Sequence, residues 1–252
     1  IQGFKSFANL TYVAVYSAST VVQIDKQKCL WISGGNDMKN KSQVVYSDGT
    51  VSEGPEMPEM ITDHCVVAIN KTSVLVIGGL VNGYVSKKTY GYNFESGQWS
   101  NGPELINERN YHACGVFQNS TSLVIAVIGG YKDGEYLDSV EFAVHNIYEH
   151  NTPTLIWEWN NGPQFPFKVV GSTVVSTNSK LYVVGGNIYQ DSSYSELNTI
   201  FELAEDLTWR ELPQKMSAAR SFVAALILPE DLVTCENKKP SSKLAGRHNG
   251  EL

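Results

Sequence analysis

The sequence is short of most of what catalysis and nucleic-acid binding require. Its four cysteines, Cys29, Cys65, Cys114 and Cys235, form neither a C-x-x-C pair nor the Cys/His spacing of a zinc site. No glycine pair runs on into G-x-x-x-x-G-K-[ST], and no G-x-S-x-G elbow is present, which removes the phosphate loop and the α/β-hydrolase nucleophile. Ser47-Asp48-Gly49-Thr50 lacks the spacing and the Trp of a sialidase Asp-box. No catalytic residue, metal or cofactor is therefore implied. Positive charge is also scarce: the net charge is −7 and the pI about 5.3, with no Lys/Arg cluster, so nucleic acid is excluded as a partner. The longest apolar run, Leu123 to Ile128, is strand length and far below the roughly 20 residues of a membrane span, so no membrane insertion is expected. Helical periodicity is absent as well.

What remains is a chain of 252 residues with 42% apolar content, enough to bury about 70% of its unfolded surface without a disulfide or metal. A monomer is expected. Because it opens at Ile1, it reads as a processed product or a fragment from which a leader would already be gone.

Double glycines recur at Gly34-Gly35, Gly78-Gly79, Gly129-Gly130 and Gly185-Gly186, spaced by 44, 51 and 56 residues. Each closes a short β-branched run, which reads as a buried strand stopped by residues that tolerate positive φ and close backbone approach. In phase with them stand Trp99-x-x-Gly102-Pro103, Trp159-x-x-Gly162-Pro163 and Trp209-x-x-Leu212-Pro213, with Val51-x-x-Gly54-Pro55 in the first copy. Proline ends that strand, since it has no N–H for the ladder. An aromatic strand lies between the two signals, carried by Tyr46, Tyr90 and Tyr92, Phe142, and Phe201. A further strand precedes each double glycine across a turn at Asp25, Asn70, Asn119 or Asn178, residues that bond local backbone and accept left-handed φ. A period near 50 marks one supersecondary unit copied along the chain, here four short antiparallel strands.

The Gly-Gly, the downstream aromatic, the Trp 20 to 29 residues further on and the Pro after it resemble kelch repeats. The resemblance implies an all-β fold, a kelch-type β-propeller of four-stranded blades. The chain holds material for about five blades, or for part of a six-bladed disc. Repeats fall near 19–56, 62–104, 109–164 and 168–213. A partial unit at 220–235 would close the ring with 1–17, using Asn9 to Tyr16 as an outer strand. The domain then spans 1–235, and the polar stretch 236–252 reads as a disordered tail.

Kelch propellers are binding scaffolds, and the resemblance implies a non-enzymatic module that takes a protein or glycan partner. The alternative is a metal-dependent oxidase or lyase resembling galactose oxidase, for which His64 and His112, opening two inner strands, are the available ligands. The loops after each double glycine differ most between copies and carry Tyr84, Tyr131, Tyr136 and Tyr189, with Tyr194 following. Tyrosine offers a flat apolar body and a hydroxyl at low entropic cost, so these residues are the candidate partner anchors, with Arg109 as a polar contact. Cys65 and Cys114 both lie five residues before their turn Asn. Equivalent atoms of adjacent blades are not expected to meet, so buried free thiols are expected and a bridge is the alternative. Sequons at Asn9, Asn40, Asn70 and Asn119 are possible glycosylation sites, and the Trp-x-x-Gly-Pro wording resembles secreted invertebrate kelch proteins. An extracellular setting is the expectation, with the cytoplasm as the alternative.

Overall fold

The structure, a computed structural model, describes residues 6–118, 122–146, 157–177, 180–190, 193–204 and 206–225. In each repeat the β-branched runs pair with their sequence neighbours into a four-stranded antiparallel sheet. Blade 1 is Ala18–Ile24, Gln27–Ser33, Ser42–Tyr46 and Val51–Glu53; blade 2 is Cys65–Ala68, Ser73–Ile77, Thr89–Asn93 and Gln98–Asn101. Blade 3 is Ala113–Gln118, Ser122–Ile128, Val140–Asn146 and Trp159–Asn161; blade 4 is Thr173–Thr177, Lys180–Val184, Ile200–Leu203 and Trp209–Glu211. No helix occurs among the described residues.

The inner hairpins turn where the Asx residues lie. Asp25 and Lys26 take φ of 48° and 67° between Ile24 and its partner Gln27, the two-residue turn whose twist suits a hairpin. The Asn70 side-chain oxygen accepts the Thr72 amide at 2.9 Å. The turns expected at Asn119 and Asn178 lie outside the described residues.

Strand alternation sends successive side chains to opposite faces, and both faces of the inner blades are buried. Val22, Cys29, Trp31 and Val44 of blade 1 pack on Val66, Val74, Val76 and Tyr90 of blade 2. The intervening Val67, Leu75 and Ile77 face Cys114, Ile125 and Val127 of blade 3. Val124, Ala126, Ile128 and Phe142 of blade 3 then meet Leu181, Val183 and Phe201 of blade 4. The core is thus a series of layers between neighbouring sheets, each fully buried aliphatic side chain contributing about 1.5–3 kcal/mol.

The double glycines are where one blade fastens to the next. The second glycine's amide donates to a backbone carbonyl in the linker entering the following repeat: Gly35 to Ile61, Gly79 to Arg109, Gly130 to Val169 and Gly186 to Arg220, at 2.8–2.9 Å. At Gly78 the need for glycine is explicit. Its φ is +57°, and a Cβ there would stand 2.8 Å from the Arg109 carbonyl oxygen and 2.9 Å from the His112 ring. The tryptophans make the reverse connection. Trp99 Nε1 donates to the Glu56 carbonyl at 2.8 Å, Trp159 Nε1 to Pro103 at 3.0 Å and Trp209 Nε1 to Pro163 at 2.9 Å, each just past the last strand of the preceding blade.

Two expectations are corrected here. Cys65 and Cys114 are joined in a disulfide between the inner strands of blades 2 and 3, with a Cα–Cα distance of 6.0 Å. Counting back from the turn Asn made the two positions equivalent, but the register runs from the double glycine. Cys65 pairs with Ile77 while Ala113, not Cys114, pairs with Ile128. Cys114 is therefore offset by one residue, which points it to the opposite face of its sheet and so toward Cys65. Cys29 is a free, buried thiol. Asn9 to Tyr16 is not an outer strand. It is the linker leading into blade 1. The Gln43 side-chain oxygen accepts the Thr11 and Tyr12 amides at 3.0 and 3.2 Å, as Glu141 in blade 3 accepts those of Ile106 and Asn107 at 2.7 and 2.9 Å.

Four blades are complete, and a fifth unit begins at Arg220 with the same glycine contact as the others. Residues 226–235, expected to continue it, and the expected tail 236–252 lie outside the described residues.

Candidate binding face

The loops after the double glycines fold back on the linker that enters their own blade. Ile61–Thr62 pairs with Leu80–Val81, Asn110 bridges to Tyr131, and Val169–Val170 pairs with Asn187–Gln190. One face of the disc is therefore built from linkers and post-glycine hairpins together. The hairpin turns carry left-handed residues, Asn82 at φ 52° and Asp133 at 49°, each followed by glycine.

Three of the four sequence-selected tyrosines come together on this face. Tyr131 and Tyr136 sit across their hairpin with ring centroids 6.0 Å apart; Tyr136 lies 6.4 Å from Tyr189 and 5.7 Å from Tyr194, and those last two are 4.8 Å apart. The patch bridges blades 3 and 4. Tyr189 and Tyr194 are 43% and 65% exposed, whereas Tyr131 and Tyr136 are half-buried beneath them. Burial, followed by the neighbouring tyrosines, raises the Tyr136 hydroxyl above its ordinary range, so that hydroxyl is neutral. Exposed Asp133, Glu135 and Glu196 accompany the patch in the same hairpins, while Lys132 is paired with Glu108 at 2.8 Å. Tyr84 stands apart on blade 2, 80% exposed.

Arg109 is not a surface contact. It is fully buried, donating to the Gly129 carbonyl at 2.6 Å, to the Ser139 carbonyl and hydroxyl at 3.1 and 3.0 Å, and to Glu141 at 2.6 Å. Glu141, also fully buried, holds the preceding linker through Ile106 and Asn107. Nothing in the sequence marks this pair, because Glu141 lies 32 residues away on the third strand of the blade.

His64 and His112 lie at the start of their inner strands, packed against the glycines of the preceding blade, and each is 7% exposed. His64 Nε2 shares a 2.8 Å hydrogen bond with the Ser33 hydroxyl. Burial lowers their pKa to about 4 for His64 and about 3 for His112, so both are neutral near pH 7. Among the described residues no three His, Cys, Asp or Glu side chains gather where a metal ion would be held. Of the sequons, Asn9 and Asn70 are exposed, the Asn40 side-chain amide donates to Glu56 at 2.7 Å, and Asn119 lies outside the described residues.

No protein-family model matches the chain. A protein of Arabidopsis thaliana named as an F-box/kelch-repeat protein is 29% identical over 162 residues, covering 59% of this chain. The match takes in 39% of that relative, so the chain spans less than half its length. Among solved structures, YjhT superposes with a TM-score of 0.61 at 16% identity, covering 81% of this chain and 72% of that one. With the glycine and tryptophan repeat in its sequence and four docked blades in its structure, the chain has the kelch-type β-propeller fold and is similar to kelch-repeat proteins.

Proposed function

We propose that this propeller is a non-enzymatic scaffold that binds a protein partner through the tyrosine patch of blades 3 and 4, in an extracellular setting. One observation carries the reading: Tyr131, Tyr136, Tyr189 and Tyr194, from two separate hairpins, form one contiguous aromatic surface on the face built from the variable loops. Half-buried rings supporting exposed ones give rigid anchors that bind without large ordering cost. The acidic side chains in the same hairpins favour a partner segment with basic and apolar residues. The Cys65–Cys114 bridge supports an oxidising compartment. Tyr84 is a second contact only for a partner wide enough to reach blade 2.

The test is affinity capture from tissue extract on the wild-type protein, with Tyr136→Ala, Tyr194→Ala and Tyr84→Ala variants that keep the wild-type melting temperature. A partner held by the wild type and weakened about thirtyfold by Tyr136→Ala supports the patch, since central aromatic anchors contribute about 2 kcal/mol or more. Equal retention by all three variants refutes it. Retention abolished by deglycosylating the captured material assigns the patch to glycan.

A further inference from the structure

The inner strands of the blades surround an axial channel of about 870 Å³, and its rim is a ring of five equivalent residues: Tyr16, Asp63, Tyr111, Gly171 and Phe222. Backbone hydrogen bonds link the five residues in order from Tyr16 to Phe222. Asp63 N donates to Tyr16 O at 3.0 Å, Tyr111 N to Asp63 O at 3.1 Å, Gly171 N to Tyr111 O at 3.0 Å and Phe222 N to Gly171 O at 2.7 Å. All five residues have positive φ, between 52° and 62°. Gly171 takes that conformation freely and Asp63 tolerates it, but for the bulky aromatic residues it is strained. Three aromatic residues and an aspartate thus hold positions where packing alone would favour glycine.

What they put there is specific. The Tyr111 ring lies between Tyr16, 6.3 Å away, and Phe222, 5.5 Å away, and the outer two are 51% and 62% exposed. Asp63, only 9% exposed, is inside the aromatic row. Its Oδ2 accepts the Thr62 hydroxyl at 3.0 Å, and Tyr111 is its other side-chain partner. Oδ1 has no hydrogen-bond partner, and no Lys, Arg or His pairs with this carboxyl among the described residues. Burial holds the carboxyl above its ordinary range. An anionic group without a counter-charge beside aromatic rings is complementary to an organic cation, and the mouth opens on the channel, whose volume leaves room for an alkyl stem.

We propose that the channel mouth is a binding site for an alkylammonium group, held over the Tyr16, Tyr111 and Phe222 rings with Asp63 as its counter-charge. The ammonium belongs either to a free small amine or to a lysine side chain of a partner. The site is separate from the tyrosine patch of blades 3 and 4 and does not rest on it.

The test uses the full chain and n-butylammonium chloride, with n-butanol and sodium chloride at equal concentration as controls, read by amide chemical-shift changes at Tyr16, Asp63, Tyr111, Gly171 and Phe222. Saturable shifts at these amides with butylammonium alone are expected. Asp63→Asn should weaken binding at least tenfold while melting no lower than the wild type, because it removes an uncompensated buried charge. Tyr16→Leu and Phe222→Leu, at exposed rings, should each weaken it severalfold. Equal shifts with butanol, no saturation by about 100 mM, or unchanged affinity in a folded Asp63→Asn protein would overturn the proposal. Tighter binding of N-acetyl-lysine amide than of butylammonium assigns the site to a partner lysine; equal or weaker binding assigns it to a free amine.

Discussion

Replacing Arg109 with alanine separates a structural arginine from a partner-contacting one. The guanidinium makes four hydrogen bonds with no exposure to solvent, and its loss strips a donor from the Gly129 and Ser139 carbonyls. The larger consequence falls on Glu141, which keeps the Ile106 and Asn107 amides but becomes a buried carboxylate with no counter-charge. Breaking one partner of a buried pair costs about 3–5 kcal/mol. At roughly 2–4 °C per kcal/mol for a domain of this size, Arg109→Ala should lower the melting temperature by about 6–20 °C. Thermal unfolding followed by circular dichroism reads the shift. The paired change Arg109→Met with Glu141→Gln removes both charges and should recover much of the loss, since an apolar replacement of an ion pair is often neutral while the remaining amide oxygen can still accept a linker N–H. An Arg109→Ala protein that melts within about 2 °C of wild type and loses its partner would refute this account and return Arg109 to the surface.

Reducing the Cys65–Cys114 bridge, or replacing both cysteines with alanine, opens a loop of sequence separation 49 and should cost about 4 kcal/mol in the chain-entropy model; urea unfolding with and without reductant measures it. Recovery of both thiols as free by alkylation of the unreduced protein would contradict the bridge. Gly79→Ala places a side chain at φ +90°, 2.9 Å or less from His64, and should destabilise by at least about 2 kcal/mol, with a neutral effect counting against glycine docking as the link between blades. Acid should also loosen the fold. His64 and His112 have folded pKa values of about 4 and about 3, below the ordinary 6.5, so the unfolded chain binds more protons and stability falls as pH drops below about 6.5. The slope is up to about 1.4 kcal/mol per pH unit for each His. Asp63, held above the ordinary carboxylate range by burial, has the opposite sign nearer the acid end. A His64→Gln, His112→Gln protein with an undiminished slope would show that other groups govern the acid limb.

The repeat was legible because its signals are backbone requirements. A residue that must accept φ near +60° and sit against a neighbouring carbonyl can only be glycine, so Gly34, Gly78, Gly129 and Gly185 appear in the sequence at the rhythm of the fold. The tryptophans were visible for a related reason, although their role in bonding back to Glu56, Pro103 and Pro163 was not. Long-range pairings left no local trace. Arg109 reads as an exposed loop residue until Glu141 is placed beside it, and the cysteine register was obscured by an inner hairpin that is longer in blade 3 than in blade 2. Choosing tyrosines by loop position found three members of the patch, but the sequence could not distinguish them from Tyr84, which shares the position and none of the ring contacts. The rim of the channel escaped notice because one structural position is filled by Tyr, Asp, Tyr, Gly and Phe in turn.

The contacts between blades have a direction along the chain. The second glycine of each repeat donates forward to a carbonyl that precedes the next blade's inner strand, and the tryptophan at the end of that next blade reaches back. During synthesis, then, a blade that has fully emerged gains its glycine connection once about eight more residues have followed, but lacks the tryptophan connection until about fifty have left the ribosome. Its maturation trails translation by one repeat, and the exposed sheet waits in that interval for its own successor. A pause in elongation would hurt most just after a complete blade and just before the linker that follows it.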